Sequence, residues 1–191
     1  MQPFEQDWDF IRAAVDELES YLLSTTLYWP VPGTPARSPS GSVPRLTIGN
    51  LLLSLKRLSA ADWSDERAQE LERLQQKIGD VRKRWRAHWE KKASEEYFSR
   101  LPRWQQFVIE MGGATPPSRQ EYAYQVRLRV ILDLLADDIG EAPDVRQSPL
   151  SNLDQVLRRR LESDGFIWDD RLRAEFPEDR FWYLYGVPQA K

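Results

Sequence analysis

The sequence predicts an all-α fold, a helical bundle of five to seven helices in one domain over residues 1–191. Three observations lead there. Apolar residues recur at spacings of three and four in most segments. One proline-free run, about 65–101, keeps a heptad-like pattern. No Asn-Gly or comparable hairpin signal separates alternating segments, and there is no internal repeat. The densest stretch is Tyr122–Ile139, YAYQVRLRVILDLLADDI. On a helical wheel its Tyr122, Val126, Val130, Ile131, Leu134 and Leu135 leave no wide polar face, the pattern of a helix buried by its neighbours.

Taken in order, the first helix runs from about Asp7 to Tyr28, with Phe10, Ile11, Val15, Leu18, Leu22 and Leu23 on one stripe. Trp29-Pro30 ends it, because the residue before proline avoids helical angles. Residues 29–44, WPVPGTPARSPSGSVP, form a proline-rich crossover loop that favours extended, polyproline-like backbone. Its Pro32–Arg37 also fits the PxxPxR spacing of a proline-motif ligand, although a strap over the bundle is the plainer reading. Leu46–Leu58 is the second helix, with Leu51, Leu52, Leu55 and Leu58 as its stripe.

Ser64 stands at an N-cap position, with Asp65 and Glu66 in the first turn where the helix dipole favours acids. The long helix that follows spans about 55 Å at about 1.5 Å per residue. Its seam is Leu71, Leu74, Ile78, Val81, Trp85 and His88, and Pro102 breaks or kinks it. Arg103–Met111 makes a short helical segment, and Gly112-Gly113 with Pro116-Pro117 marks a loop. Ser118 and Glu121 make a capping box for the helix containing Tyr122–Ile139, and Gly140 and Pro143 close it. Another helix starts at Ser148-Pro149 and stops near Gly165. In the aromatic C-terminal segment, 176–191, Pro177 and Gly186 suggest one short helix, with an extended Phe181–Tyr185 as the alternative.

Composition excludes much chemistry. No cysteine is present, which removes disulfides, thiolate zinc sites, iron–sulfur clusters and cysteine nucleophiles. The single histidine, His88, cannot build a multi-histidine metal centre, and no cofactor is expected. A net charge of −3 argues against a surface given over wholly to polyanions. Eight tryptophans supply large rigid contacts, in a core or at an interface. The N-terminal MQPFEQDWDF carries acids where a signal peptide needs a basic region. No stretch approaches the roughly 18–20 apolar residues of a membrane span. A cytoplasmic protein without membrane contact is the expectation.

Four groups of residues are candidates for function. Arg127, Arg129 and Asp133 put charge inside the most apolar helix. Arg129 and Asp133, four apart, share a face and form a structural ion pair or an anion clamp, while Arg127 points elsewhere. Asp137, Asp138 and Glu141 form a DDxxE string suited to Mg²⁺, at a helix end where acids are unfavourable. Arg82, Lys83, Arg84, Arg86, Lys91 and Lys92 flank aromatics and would meet phosphates and bases, or form a solvated face; Arg158-Arg159-Arg160 repeats the idea more weakly. Trp182, Tyr183 and Tyr185 dock on the chain's own bundle or meet a partner.

The leading functional reading is a protein–protein interaction or scaffold module, with a protein partner or a homo-oligomer formed through the heptad helix and no catalytic residue assigned. A nucleic-acid-binding accessory role through residues 82–92 is the second reading. A Mg²⁺-dependent hydrolase of phosphorylated small molecules is the third.

Overall fold

Helical periodicity becomes helix in nearly every segment where it was read. The computed structural model describes residues 3–32, 44–113, 116–139 and 149–189. Among these the fold is all-α, with eight helices and a single two-stranded ribbon. The chain divides into two compact units, residues 1–96 and 97–191. Residues 33–43, which hold most of the proline-rich crossover and its PxxPxR match, lie outside the described residues, as do Gly140, Pro143 and Ser148.

The first unit contains α1 (Pro3–Leu23), α2 (Ile48–Ser59), α3 (Asp65–Arg84) and the beginning of α4 (Arg86–Glu110). Helix α1 buries Phe4, Trp8, Ile11, Ala14, Leu18, Tyr21 and Leu22. It stops before Tyr28 because Ser24 folds back, its Oγ donating to the Tyr21 carbonyl at 2.8 Å. Trp29 is then extended and pairs with Leu46 in an isolated antiparallel bridge. In α2, Leu53 joins Leu51 and Leu58 in the core while Leu52 and Leu55 are half-buried, so this helix is covered on two sides.

The heptad run is carried by two helices that meet at Trp85 (φ −114°, ψ 35°). No glycine or proline stands at the junction, so neither of the usual sequence breakers accounts for the interruption. Helix α3 buries only Leu71 and Ile78. Charge and arene contacts hold it to α1. Arg12 grips Glu70 with two 2.8 Å bonds, Arg67 reaches Glu5 at 2.7 Å, and Arg84 lies 3.5 Å from Glu19. Trp8 lies under both Arg12 and Arg67, at 5.2 and 5.7 Å. Ser64 occupies the N-cap position of α3 without a side-chain capping bond.

A buried carboxylate organises the start of α2. Glu96, on α4, is fully buried and accepts hydrogen bonds from Thr47 Oγ1 and the Gly49 amide, each at 2.7 Å. Thr47 Oγ1 in turn accepts from the Asn50 amide at 3.2 Å. Helix N-termini present amides without intrahelical partners, and the macrodipole favours an anion there. Asp7 plays a similar part between α1 and α2, accepting from Ser54 Oγ at 2.8 Å and pairing with Arg57 at 3.2 Å.

The second unit contains the rest of α4, then α5 (Arg119–Gln125), α6 (Arg127–Ile139), α7 (Leu150–Arg158), β1 (Leu161–Ser163), α8 (Glu178–Phe181) and β2 (Gly186–Pro188). Helix α4 runs through Pro102 instead of ending there. The ring faces solvent, while Leu101, Trp104, Phe107 and Val108 are buried and hold the helix against the unit. Tyr122–Ile139 is likewise divided, α5 giving way to α6 at Val126. Trp168 Nε1 donates to the Ala123 carbonyl at 2.8 Å, the acceptor a continuous helix would offer to residue 127. The capping box holds at Ser118, whose Oγ accepts from the Glu121 amide at 3.2 Å.

The C-terminal segment differs most from expectation. Its helical part is a single α turn, α8, followed by a 3-10 turn at Trp182–Leu184. Beyond it β2 pairs antiparallel with β1, Leu161 opposite Pro188 and Ser163 opposite Gly186. Gly165 (φ +71°) reverses the chain after β1 rather than stopping α7, which ends at Arg158. Gly186 permits close strand approach, since a Cβ there would come within 2.6 Å of the Glu162 carbonyl oxygen.

Replacing Glu96 by alanine strands two buried donors at the start of α2, a loss of about 2–3 kcal/mol for charged hydrogen bonds of this kind. Glu96→Gln, which keeps an acceptor, should cost less. Denaturant midpoints of the two variants check the order, and an unshifted midpoint for E96A would mean the carboxylate does not hold α2.

Candidate functional site

Helix α6 places Arg129 in the interior of the second unit at 6% exposure. Its Nε and Nη2 donate to the two oxygens of Asp154, on α7, at 2.8 and 2.7 Å. Nη1 donates to Asp133 Oδ1 at 3.4 Å, the contact one helical turn away that the sequence predicts. The guanidinium also lies 4.6 Å from the ring centre of Tyr183. Asp133 then accepts from Arg180 Nε at 2.8 Å, and Arg180 Nη2 lies 2.8 Å from Asp137. The result is a chain of alternating charge, Asp154–Arg129–Asp133–Arg180–Asp137, joining α6, α7 and α8.

Burial works against the charge on Arg129, but the Asp154 hydrogen bonds and the neighbouring carboxylates outweigh it. The guanidinium is held above its usual range and stays charged. Burial pushes the Tyr183 hydroxyl up, keeping it protonated beside the network. Bidentate pairing uses arginine's fork where an anion clamp would need it, so the geometry is that of a structural ion pair. Arg127 stands apart, half-buried, with its guanidinium 5.7 Å from the ring of Tyr124.

The other candidates are placed as follows. Asp137 is held by Arg180, Asp138 is half-buried, and Glu141 lies outside the described residues. Among the described residues no group of three acids or histidines gathers around a cation position. In the basic run, Arg82 lies over Trp89 at 5.5 Å, Arg84 is near Glu19, Arg86 bonds Glu90 at 2.7 Å and Lys91 is 3.8 Å from Glu95. Lys92 turns inward, donating to the Thr26 carbonyl at 2.7 Å, and burial lowers its pKa. Lys83 is exposed. Of the six cations, Lys92 is buried and the other five are exposed. Tyr183 is fully buried, Tyr185 donates to the Phe176 carbonyl at 2.8 Å, and Trp182 stacks under Arg158 at 3.8 Å. The aromatic segment is used within its own unit.

Sequence reasoning missed a line of exposed residues along α4. Phe98, Pro102, Gln105 and Ile109 follow one another at spacings of four, three and four, and all face solvent. Phe98 is 40% and Ile109 57% exposed, large values for such side chains. The signal was present in the spacing, but Pro102 masked it by suggesting a helix end.

No known family model matches this chain, and no curated protein or solved structure matches it.

Asp154→Ala should leave the buried Arg129 with only the longer Asp133 contact, at a cost of about 3–5 kcal/mol, while a joint Arg129→Met, Asp154→Leu replacement should recover most of the loss. Guanidinium chloride unfolding of both variants measures this. A double variant no more stable than D154A would show that the pair is not the source of the loss.

Proposed function

We propose that this chain is a protein–protein interaction module that self-associates through the outward face of α4 between Phe98 and Ile109. The observation that carries this reading is the exposed stripe itself, Phe98, Pro102 and Ile109 in line with one glutamine among them, on a helix whose other face is in the core. Its arrangement is self-complementary. In an antiparallel pairing about a two-fold axis near residues 103 and 104, Phe98 of one copy meets Ile109 of the other, and Pro102 meets Gln105. The two contacts share one centre. Such isologous surfaces are the commonest route to homodimers. The stripe extends about 16 Å along the helix at about 1.5 Å per residue.

Two further features support this reading over the nucleic-acid and Mg²⁺ alternatives. The cations of residues 82–92 are largely engaged with carboxylates, an indole and a carbonyl. Asp137 is taken up by Arg180. The heptad seam is the weaker choice of dimer surface, because Leu71 and Ile78 are buried within the first unit and Leu74, Val81 and Trp85 are half-buried. A single helix face covers less than the roughly 800 Å² per partner of a standard interface, so the association is weak and concentration-dependent.

Sedimentation equilibrium should show a monomer–dimer equilibrium that shifts with concentration. Phe98→Glu or Ile109→Glu should abolish it and leave the thermal midpoint unchanged, because both side chains are exposed. A wild-type chain that stays monomeric at the highest soluble concentration, or a dimer indifferent to both substitutions, would overturn the proposal.

A further inference from the structure

A cleft of about 210 Å³ opens at the C-terminal end of α4, lined by Met111, Gly112, Gly113, Pro116, Arg159, Arg160, Pro188 and Gln189. Two of these residues are arginines and none is a carboxylate. That is unusual in a chain where Arg12, Arg67, Arg129, Arg171, Arg173 and Arg180 all hydrogen-bond to acids. Arg160 is fixed in place. Its Nη1 donates to the Val108 carbonyl, near the end of α4 where the helix dipole favours a cation. The guanidinium packs so closely on Gly112 that a Cβ there would lie 2.5 Å from Nη2. The side chain of Arg159, exposed just after α7, has no hydrogen-bonding or ionic partner among the described residues.

We infer that this cleft binds a small organic anion, its charged head held between Arg159 and Arg160 and its apolar body against Met111, Pro116 and Pro188. Arginine carries five N–H donors in a planar fork. Arg160 spends one on Val108 and is pre-oriented by it, while Arg159 is free to close on the ligand. The apolar walls give a bare phosphate nothing, but they suit an acid with a compact ring or short chain. At about 210 Å³ the cleft falls below the roughly 300–1,000 Å³ of sites for drug-sized ligands, so a ligand of benzoate size is the match.

The test is a titration of the full chain with sodium benzoate and, separately, with inorganic phosphate at matched ionic strength, followed by amide NMR. Benzoate should shift the Gly112, Gly113 and Gln189 amides saturably, and phosphate should not. Arg159→Ala should weaken benzoate binding by about tenfold, as for loss of one charge-assisted contact, with the thermal midpoint unchanged. Gly112→Ala, which displaces the Arg160 guanidinium, should weaken it as well. The same titration on Phe98→Glu keeps the result separate from self-association. Phosphate binding as tight as benzoate, an R159A affinity equal to wild type, or no saturable shift would each overturn the inference.

Discussion

A guanidinium at 6% exposure cannot be left unpaired, and in the second unit that requirement decides which segments meet. Removing a charge from water costs several kcal/mol even after the surroundings relax, so Arg129 is tolerable only with a carboxylate in a matching plane. Asp154 supplies it from α7 with two short bonds. Asp133 then stands between Arg129 and Arg180, tying the aromatic C-terminal segment to α6. The first unit uses the same logic with the signs reversed. Glu96 is buried at the start of α2, where backbone amides and a threonine hydroxyl take the place of a cation.

Arg129–Asp133 was legible because residues four apart on a helix are neighbours whatever the tertiary fold. Asp154 and Arg180 were not. They lie 25 and 47 residues from their partners, and nothing in a linear pattern singles out one acid among many. Glu96 was hidden in the same way, by a charged helix in which every acid looks solvated. Helix existence followed from periodicity, but the breaks did not, because Trp85 and Val126 have no breaker beside them. Trp168, which takes the Ala123 carbonyl, is 45 residues downstream. The β1–β2 ribbon was invisible because three-residue strands are too short for an alternating pattern.

Composition also left the tryptophans undecided between core and interface. In the structure Trp8, Trp89 and Trp104 are buried and the other five are half-buried, so none is presented freely to a partner. The indoles instead join the charge pattern to the core. Arg12 and Arg67 lie over Trp8, Arg82 over Trp89 and Arg158 over Trp182. Cation–arene contacts of this kind let a chain with 30% charged residues cover its aromatic surface with the stems and heads of its own arginines. Apolar surface reaches solvent at other side chains, chiefly Leu23, Phe98, Ile109, Tyr124 and Val156.

Of those five, only Phe98 and Ile109 share a face of one helix, and Pro102 between them carries the argument further. Proline in a helix interior costs about 3 kcal/mol relative to alanine, partly through the missing amide and partly through its ring. Helix α4 absorbs this because Leu101, Trp104, Phe107 and Val108 bury its other side, and because the ring lies where solvent rather than protein is displaced. Lacking an N–H, Pro102 cannot donate to the Phe98 carbonyl one turn earlier. An exposed aromatic ring, a flat pyrrolidine and an exposed isoleucine thus sit in line, beside a helix whose backbone hydrogen-bonding is weakened on that side. Phe98 keeps an edge contact with Tyr97 at 5.3 Å, and what remains exposed of this face is what the proposed self-association would cover.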